Sequence, residues 1–318
     1  MGLFDDEIEV PENDLLEKVG KDLNEAIAIF CHRLVDKHTA EDYRGYSRPY
    51  QSTNEYLRGI YSQVDMSKYN NALTVLSSGD HVFNLLYHDV FNIDTFDCNR
   101  LTEYYALGFK LTAIKVLTFK QFEDLFADRD DYERSIEKYV INKMPFHYQL
   151  FWQRLLEKRQ DIDFERPTVF DFCRDVGYDR SHHFDYSEAR TRYNTLNAYR
   201  NPDGFEKVKE NLKKANITFK VSDIREIPQK FGAYDFIELS NIIGVLMNWI
   251  EPELLISIIK NIYDNNLNNN GEMIFTYRYN SPTIARDEVY NEINFGHKRE
   301  LSIWPDSAGS LMKKGKLK

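Results

Sequence analysis

Apolar positions recur at helical spacing over residues 14–38, where Leu15, Leu16, Val19, Leu23, Ala26, Ile27 and Phe30 share one stripe and predict an amphipathic helix. A polar, tyrosine-rich stretch (43–61) follows, interrupted by Pro49. The pattern then changes abruptly. Residues 71–76 form a short, nearly continuous apolar run that ends in Ser77, Ser78, Gly79 and Asp80 and passes into a second apolar segment at 81–87. This spells a buried strand, a tight turn of small residues, and a helix. Residues 92–96 predict a second strand, ending at Asp97, Cys98 and Asn99, and 100–117 returns to helical spacing with Leu101, Tyr105, Leu107, Leu111 and Ile114 on one side. Strand, turn, helix, strand, acid and helix in that order make the first half of a doubly wound α/β sheet.

From about 119 to 216 the alternation lapses. Phe122, Leu125, Phe126, Tyr139, Phe146, Phe151 and Trp152 mark a mostly helical insertion that lies over the sheet. Strands resume at 217–221, ending in Ser222, Asp223 and Ile224, and at 234–239, ending in Ser240 and Asn241. A helix at 252–265, an asparagine-rich turn at 268–271 and a strand at 272–277 follow, and the last forty residues supply a final hairpin. The expected architecture is therefore α/β: a Rossmann-like doubly wound sheet over 67–318, carrying the insertion, behind an N-terminal helical segment over 1–66.

Composition narrows the partners more than the fold. With 318 residues, 42% of them hydrophobic, the chain can bury one large core. Its 21 Tyr and 21 Phe fill such a core and could also face an adenine ring or an acyl chain. A net charge of -10 is repelled by phosphate backbones and anionic lipid, so nucleic acid is not expected and membrane contact is at most peripheral. No apolar run is long enough to span a bilayer. The basic run of Lys313, Lys314, Lys316 and Lys318 reads as a solvated tail. Cys31, Cys98 and Cys173 lie far apart, which argues against a disulfide framework or a zinc knuckle and fits a reducing cytoplasm. His88 with Asp89, and His182 and His183 with Asp185, lack a third ligand at suitable spacing, so no metal is expected.

The chemistry collects at the strand ends, where ligands of open α/β sheets bind. Ser77, Ser78 and Gly79 let a ligand approach the backbone, and the following helix offers its free N–H groups. Asp80, at the cap of that helix, repels a pyrophosphate and favours a cationic sulfonium over a dinucleotide. Asp97 follows the turn at about the 20-residue spacing of a carboxylate that accepts the hydroxyls of an adenosine ribose. Asp223, with Ile224 beside it, is placed to meet the adenine amino group, and Ser240 and Asn241 to hold a zwitterionic amino-acid end. Together these residues predict S-adenosyl-L-methionine as cofactor. A hydroxyl acceptor needs a base or a positioned hydrogen bond, for which His81, Tyr56 and Tyr61 are candidates by their nearness to the turn.

Residues 75–86 and 93–99, the helix containing Lys110, the Phe151–Trp152 pair and residues 236–243 together resemble a known family. It is the S-adenosylmethionine:diacylglycerol 3-amino-3-carboxypropyltransferases of betaine-lipid synthesis, within the class I S-adenosylmethionine-dependent methyltransferase-like superfamily. The resemblance spans roughly 70–280 and implies that Gly79 and its neighbours, Asp97, Asn99, Asp223, Ser240 and Asn241 line the cofactor site. It also implies transfer of the aminocarboxypropyl group to a hydroxyl or amine of a small-molecule or lipid-like acceptor, with release of methylthioadenosine. The chain departs from the family pattern at Asp80 and His81 and in its shorter, more acidic N-terminal part. Two other readings share the same residues: a methyltransferase acting on a small molecule, and a cofactor-binding scaffold without catalysis.

Overall fold

Parallel strands buried on both faces send alternate side chains into different cores, and that alternation layers this molecule. The structure, a computed structural model, describes residues 12–31, 45–53, 55–127, 134–161, 167–173, 194–246, 250–278, 297–304 and 307–314. Its strands are β1 (Asn71–Val75), β2 (Asn92–Asp97), β3 (Asn216–Val221), β4 (Tyr234–Glu238), β5 (Leu267–Arg278), β6 (His297–Trp304) and β7 (Ser307–Lys313). On β1, Ala72 enters one apolar cluster while Leu73 and Val75 enter another; Phe236 and Ile237 on β4 divide the same way, as do Ile274 and Met273 on β5.

The strands form one sheet in the order β3-β2-β1-β4-β5-β7-β6. β1 to β5 are mutually parallel, and β7 runs antiparallel between β5 and β6. This is the expected Rossmann-like doubly wound α/β fold, closed at one edge by the expected hairpin.

The first face carries α1 (Glu12–Cys31), α2 (Leu57–Tyr61) and α3 (Asp80–Tyr87). It also carries a rod in which α4 (Leu101–Glu103) passes through a π-helical stretch (Tyr104–Lys110) into α5 (Leu111–Val116). Over that rod lie α6 (Phe119–Ala127), α7 (Arg134–Ile141), α8 (Phe146–Gln160) and α9 (Val169–Phe172), followed by α10 (Pro202–Asn211). Tyr104 stacks on Phe151 with ring centroids 3.8 Å apart, and the Trp152 indole donates to the Tyr104 carbonyl. Phe122, Phe126, Phe151 and Trp152 of the insertion are therefore packing, whereas Tyr139 and Phe146 are exposed. The second face carries α11 (Ile227–Lys230), α12 (Ile242–Leu246) and α13 (Pro252–Asn266).

One expectation changes, and others fall outside the described residues. The N-terminal helix ends at Cys31 within the described residues, and 32–44 lie outside them, as do His182, His183, Asp185 and the end of the basic tail. The asparagine cluster is not a turn before a strand but part of β5. Pairing with β4 jumps from Leu267 to Glu272, which makes a bulge, and Asn270 takes a left-handed φ of 68°. The cluster stays in the sheet because its polar groups find partners on both sides: Asn268 donates to Asp235 and the Asn270 amide to the Lys314 carbonyl. Among the described residues, no helix is long and apolar enough to cross a membrane.

Candidate functional site

The strand order reverses between β1 and β4, and both strands end in a residue forced to positive φ. Ser77 follows β1 at 45° and Ser240 follows β4 at 53°. Non-glycine residues held in that region cost energy and gather where a backbone must be shaped for a ligand. Gly79, at 83°, completes the first turn; a Cβ there would meet the Phe83 ring at 3.1 Å and Ala106 at 3.2 Å.

Asp97 closes β2 opposite this turn. Its Oδ2 accepts the Ser77 amide at 3.0 Å and its Oδ1 the Asn99 amide at 2.8 Å. Burial pushes the carboxyl up to about 6, against the pull of those two amides. Its Oδ1 also takes a long contact from the Cys98 thiol at 3.9 Å, whereas Oδ2 keeps room for a second donor. Asn99 itself is turned to structural work: its Oδ1 accepts the amides of Ser47 and Leu101.

Asp80 corrects the sequence reading. Instead of presenting charge to a sulfonium, it is fully buried, and its two oxygens accept from the Lys110 ammonium (2.7 Å), the Tyr199 hydroxyl (2.5 Å), the Ser78 hydroxyl (2.8 Å) and the Thr53 amide (2.6 Å). Burial opposes the charge, yet Lys110 and these donors hold the carboxyl below its usual range. The preference for a cation over a pyrophosphate thus loses its electrostatic basis at this residue. Ser78 is likewise turned inward, its carbonyl accepting from Lys110 at 3.2 Å.

The remaining expected residues divide. Asp223 caps the short turn after β3 and grips Arg225 through both oxygens, at 2.7 and 2.9 Å. Ile224 is buried in the second apolar cluster, so its side chain serves the core. The Ser240 hydroxyl and the Asn241 amide both point at Glu55 Oε1, at 2.5 and 3.0 Å. Of the three candidate bases, two are brought together: His81 Nδ1 lies 2.7 Å from Glu238 Oε1, and the Tyr61 hydroxyl donates to Glu238 Oε2 at 2.5 Å. Burial and the adjacent Glu238 push the Tyr61 phenol well above its ordinary range, which unfits it as a base. Tyr56 packs against the first apolar cluster, its ring beside Gly59.

Sequence reasoning missed Glu55, Glu238 and Thr74, which complete this cluster; the Thr74 hydroxyl donates to Glu238 Oε2 at 3.0 Å. One signal was available for Glu238, a carboxylate at the end of an otherwise apolar parallel strand. None was available for Glu55. Burial alone depresses the His81 imidazole, but Glu238 and then Glu55 and Asp80 outweigh it and lift the group to about 9. Burial raises Glu55.

Glu55 belongs to a strap, described at residues 45–53 and 55–56, that crosses three strand ends in turn. The Ser47 amide reaches Asn99 after β2, the Thr53 amide reaches Asp80 after β1, and Glu55 reaches Ser240 after β4. Lys110 binds the strap as well, through the Gln51 carbonyl at 3.2 Å. Arg48 fastens its outer side, donating to the carbonyls of Asp171, Phe172 and Cys173 at the end of α9.

No family model matches the chain, and no curated protein does. Among solved structures, PigF with SAH aligns over 96% of this chain and 71% of its own, at 9% identity and a TM-score of 0.38. The N-methyltransferase NodS from Bradyrhizobium japonicum WM9, in complex with S-adenosyl-l-homocysteine, aligns over 94% of this chain and 98% of its own, at 9% identity and 0.37. Likeness at that level assigns no activity.

Proposed function

We propose that the protein is an S-adenosylmethionine-dependent transferase. The observation that supports this most is Asp97, an acid at the carboxyl end of β2 held by the Ser77 amide beside a left-handed small-residue turn. A ribose diol can donate to both of its oxygens while the turn lets the rest of a nucleoside approach the backbone. The sulfonium needs little acid catalysis, since it departs as a neutral thioether. What the protein supplies is in-line positioning and exclusion of water. The strap that carries Ser47, Thr53 and Glu55 over the strand ends supports the second.

Within that class, transfer of the 3-amino-3-carboxypropyl group to a hydroxyl or amine is the reading we favour, on the family resemblance of residues 70–280. Its product is methylthioadenosine, whereas methyl transfer leaves S-adenosylhomocysteine. Calorimetry with S-adenosylhomocysteine and methylthioadenosine tests the class: binding is expected, weakened about tenfold to a hundredfold in Asp97→Ala through loss of charge-assisted hydrogen bonds. Absence of binding, or an unchanged affinity in the variant, refutes it. Mass spectrometry of the nucleoside left after incubation with acceptor extracts separates the two transfers.

A further inference from the structure

Three ionisable side chains from distant parts of the sequence meet in the interior at the switch between β1 and β4. Glu55 comes from the strap, His81 from the first turn of α3 and Glu238 from the end of β4. All are buried, with one oxygen or nitrogen of each within 4.8 Å of the others. Among the described residues, neither carboxylate has a lysine or arginine ion-paired to it; the one cation available is His81 itself.

The donors around them hold each carboxylate by one oxygen. Tyr61 and Thr74 occupy Glu238 Oε2, leaving Oε1 toward His81. Ser240 and Asn241 occupy Glu55 Oε1, and Glu55 Oε2 is buried with no hydrogen-bond partner. The buried Thr276 hydroxyl lies beside Glu55 and eases its charge, without a well-formed hydrogen bond to it. The His81–Glu238 pair therefore explains only two of the three groups. An imidazolium can balance one carboxylate and not two, and a buried carboxylate oxygen without a well-formed hydrogen bond is costly.

We propose that Glu55, His81 and Glu238 form a binding site for one divalent first-row transition-metal ion. A charge of +2 balances both carboxylates with the imidazole neutral. One nitrogen and two oxygen donors suit zinc, cobalt, manganese or iron(II), whereas magnesium and calcium favour oxygen donors alone. Bonds of about 2.0–2.2 Å set neighbouring ligand atoms roughly 3.3 Å apart, so the His81–Glu238 contact opens by about half an ångström as the ion enters. The donors on the outer oxygens orient the ligands in advance, which raises affinity without taking part in it. Three protein ligands leave an open coordination position for a small oxygen ligand.

Cobalt(II) is the probe, added to the full chain after chelator treatment, without any nucleoside, so the outcome is independent of the cofactor reading. One equivalent is expected to bind, with a visible d–d absorption band and a raised melting temperature. Glu55→Gln keeps an oxygen for Ser240 and Asn241 but loses the charge, and should weaken binding about tenfold to a hundredfold. His81→Gln should do the same. In the unaltered chain, cobalt should broaden the His81 imidazole resonances and spare those of His147, a readout that needs no variant. No uptake of cobalt, uptake equal in both variants, or broadening that misses His81 overturns the assignment.

Discussion

Asp97 is the residue whose behaviour reports most directly on the site. Its carboxyl is raised to about 6 by burial. In the unfolded chain it titrates near 3.9, so between about pH 4 and pH 6 the folded state holds more protons than the unfolded one. The slope of stability with pH is then negative: this group's contribution is fullest below about pH 4 and is lost as pH rises through 6. Ribose binding has the opposite sense, because hydroxyl donors need the ionised carboxylate. Affinity for S-adenosylhomocysteine should accordingly climb from pH 5 to pH 7.5 with a midpoint near 6, and Asp97→Asn should flatten the profile; calorimetry across that range decides. Lys110 supplies a second test. It is paired with Asp80 where both side chains are wholly buried, so Lys110→Ala strands a buried carboxylate and should cost about 3–5 kcal/mol, read from urea unfolding.

At the scale of elements, the turn after β1 is the most constrained piece of backbone in the site. Gly79→Ala must hold a left-handed φ and also press a methyl against Phe83 and Ala106. A loss of about 1–2 kcal/mol is expected, with weaker nucleoside binding, measured by thermal melting and calorimetry on the same sample. The elements were also what the sequence exposed best. Strands β1 to β4 could be read from short, largely apolar runs bounded by small or acidic residues, since burial on both faces favours such runs. The bulge in β5 was not legible. It depends on Asp235 and Lys314 offering partners from neighbouring strands, which local pattern cannot reveal. The role of Asp80 was misread for the same reason: Lys110 and Tyr199 reach it from 30 and 119 residues away.

Across the whole molecule, the strap couples the sheet to the insertion. Arg48 holds its outer side to the end of α9 while Thr53 and Glu55 hold the inner side to the strand ends. Arg48→Ala should leave the sheet intact but speed hydrogen exchange at the Ser47 and Thr53 amides, visible by NMR, with little change at Leu73 in β1. The candidate site was legible in halves. Residues at the ends of successive strands could be found by counting, but Glu55 sits in a polar stretch whose position over the sheet follows only from the finished fold.

The distance along the chain between Glu55 and Ser240, 185 residues, also governs when the buried cluster can exist during synthesis. Chains emerge from their N-terminus and tend to fold as they do so. The strap, α3 and β1 are made early, yet β4 and the turn after it must be released before Glu238 and Ser240 can meet them. Any product of interrupted translation that stops short of β4 would carry the turn after β1 and Asp97 without the completed interior. Assembly of the cluster is thus a late event of biosynthesis, and the strap waits for its last anchor.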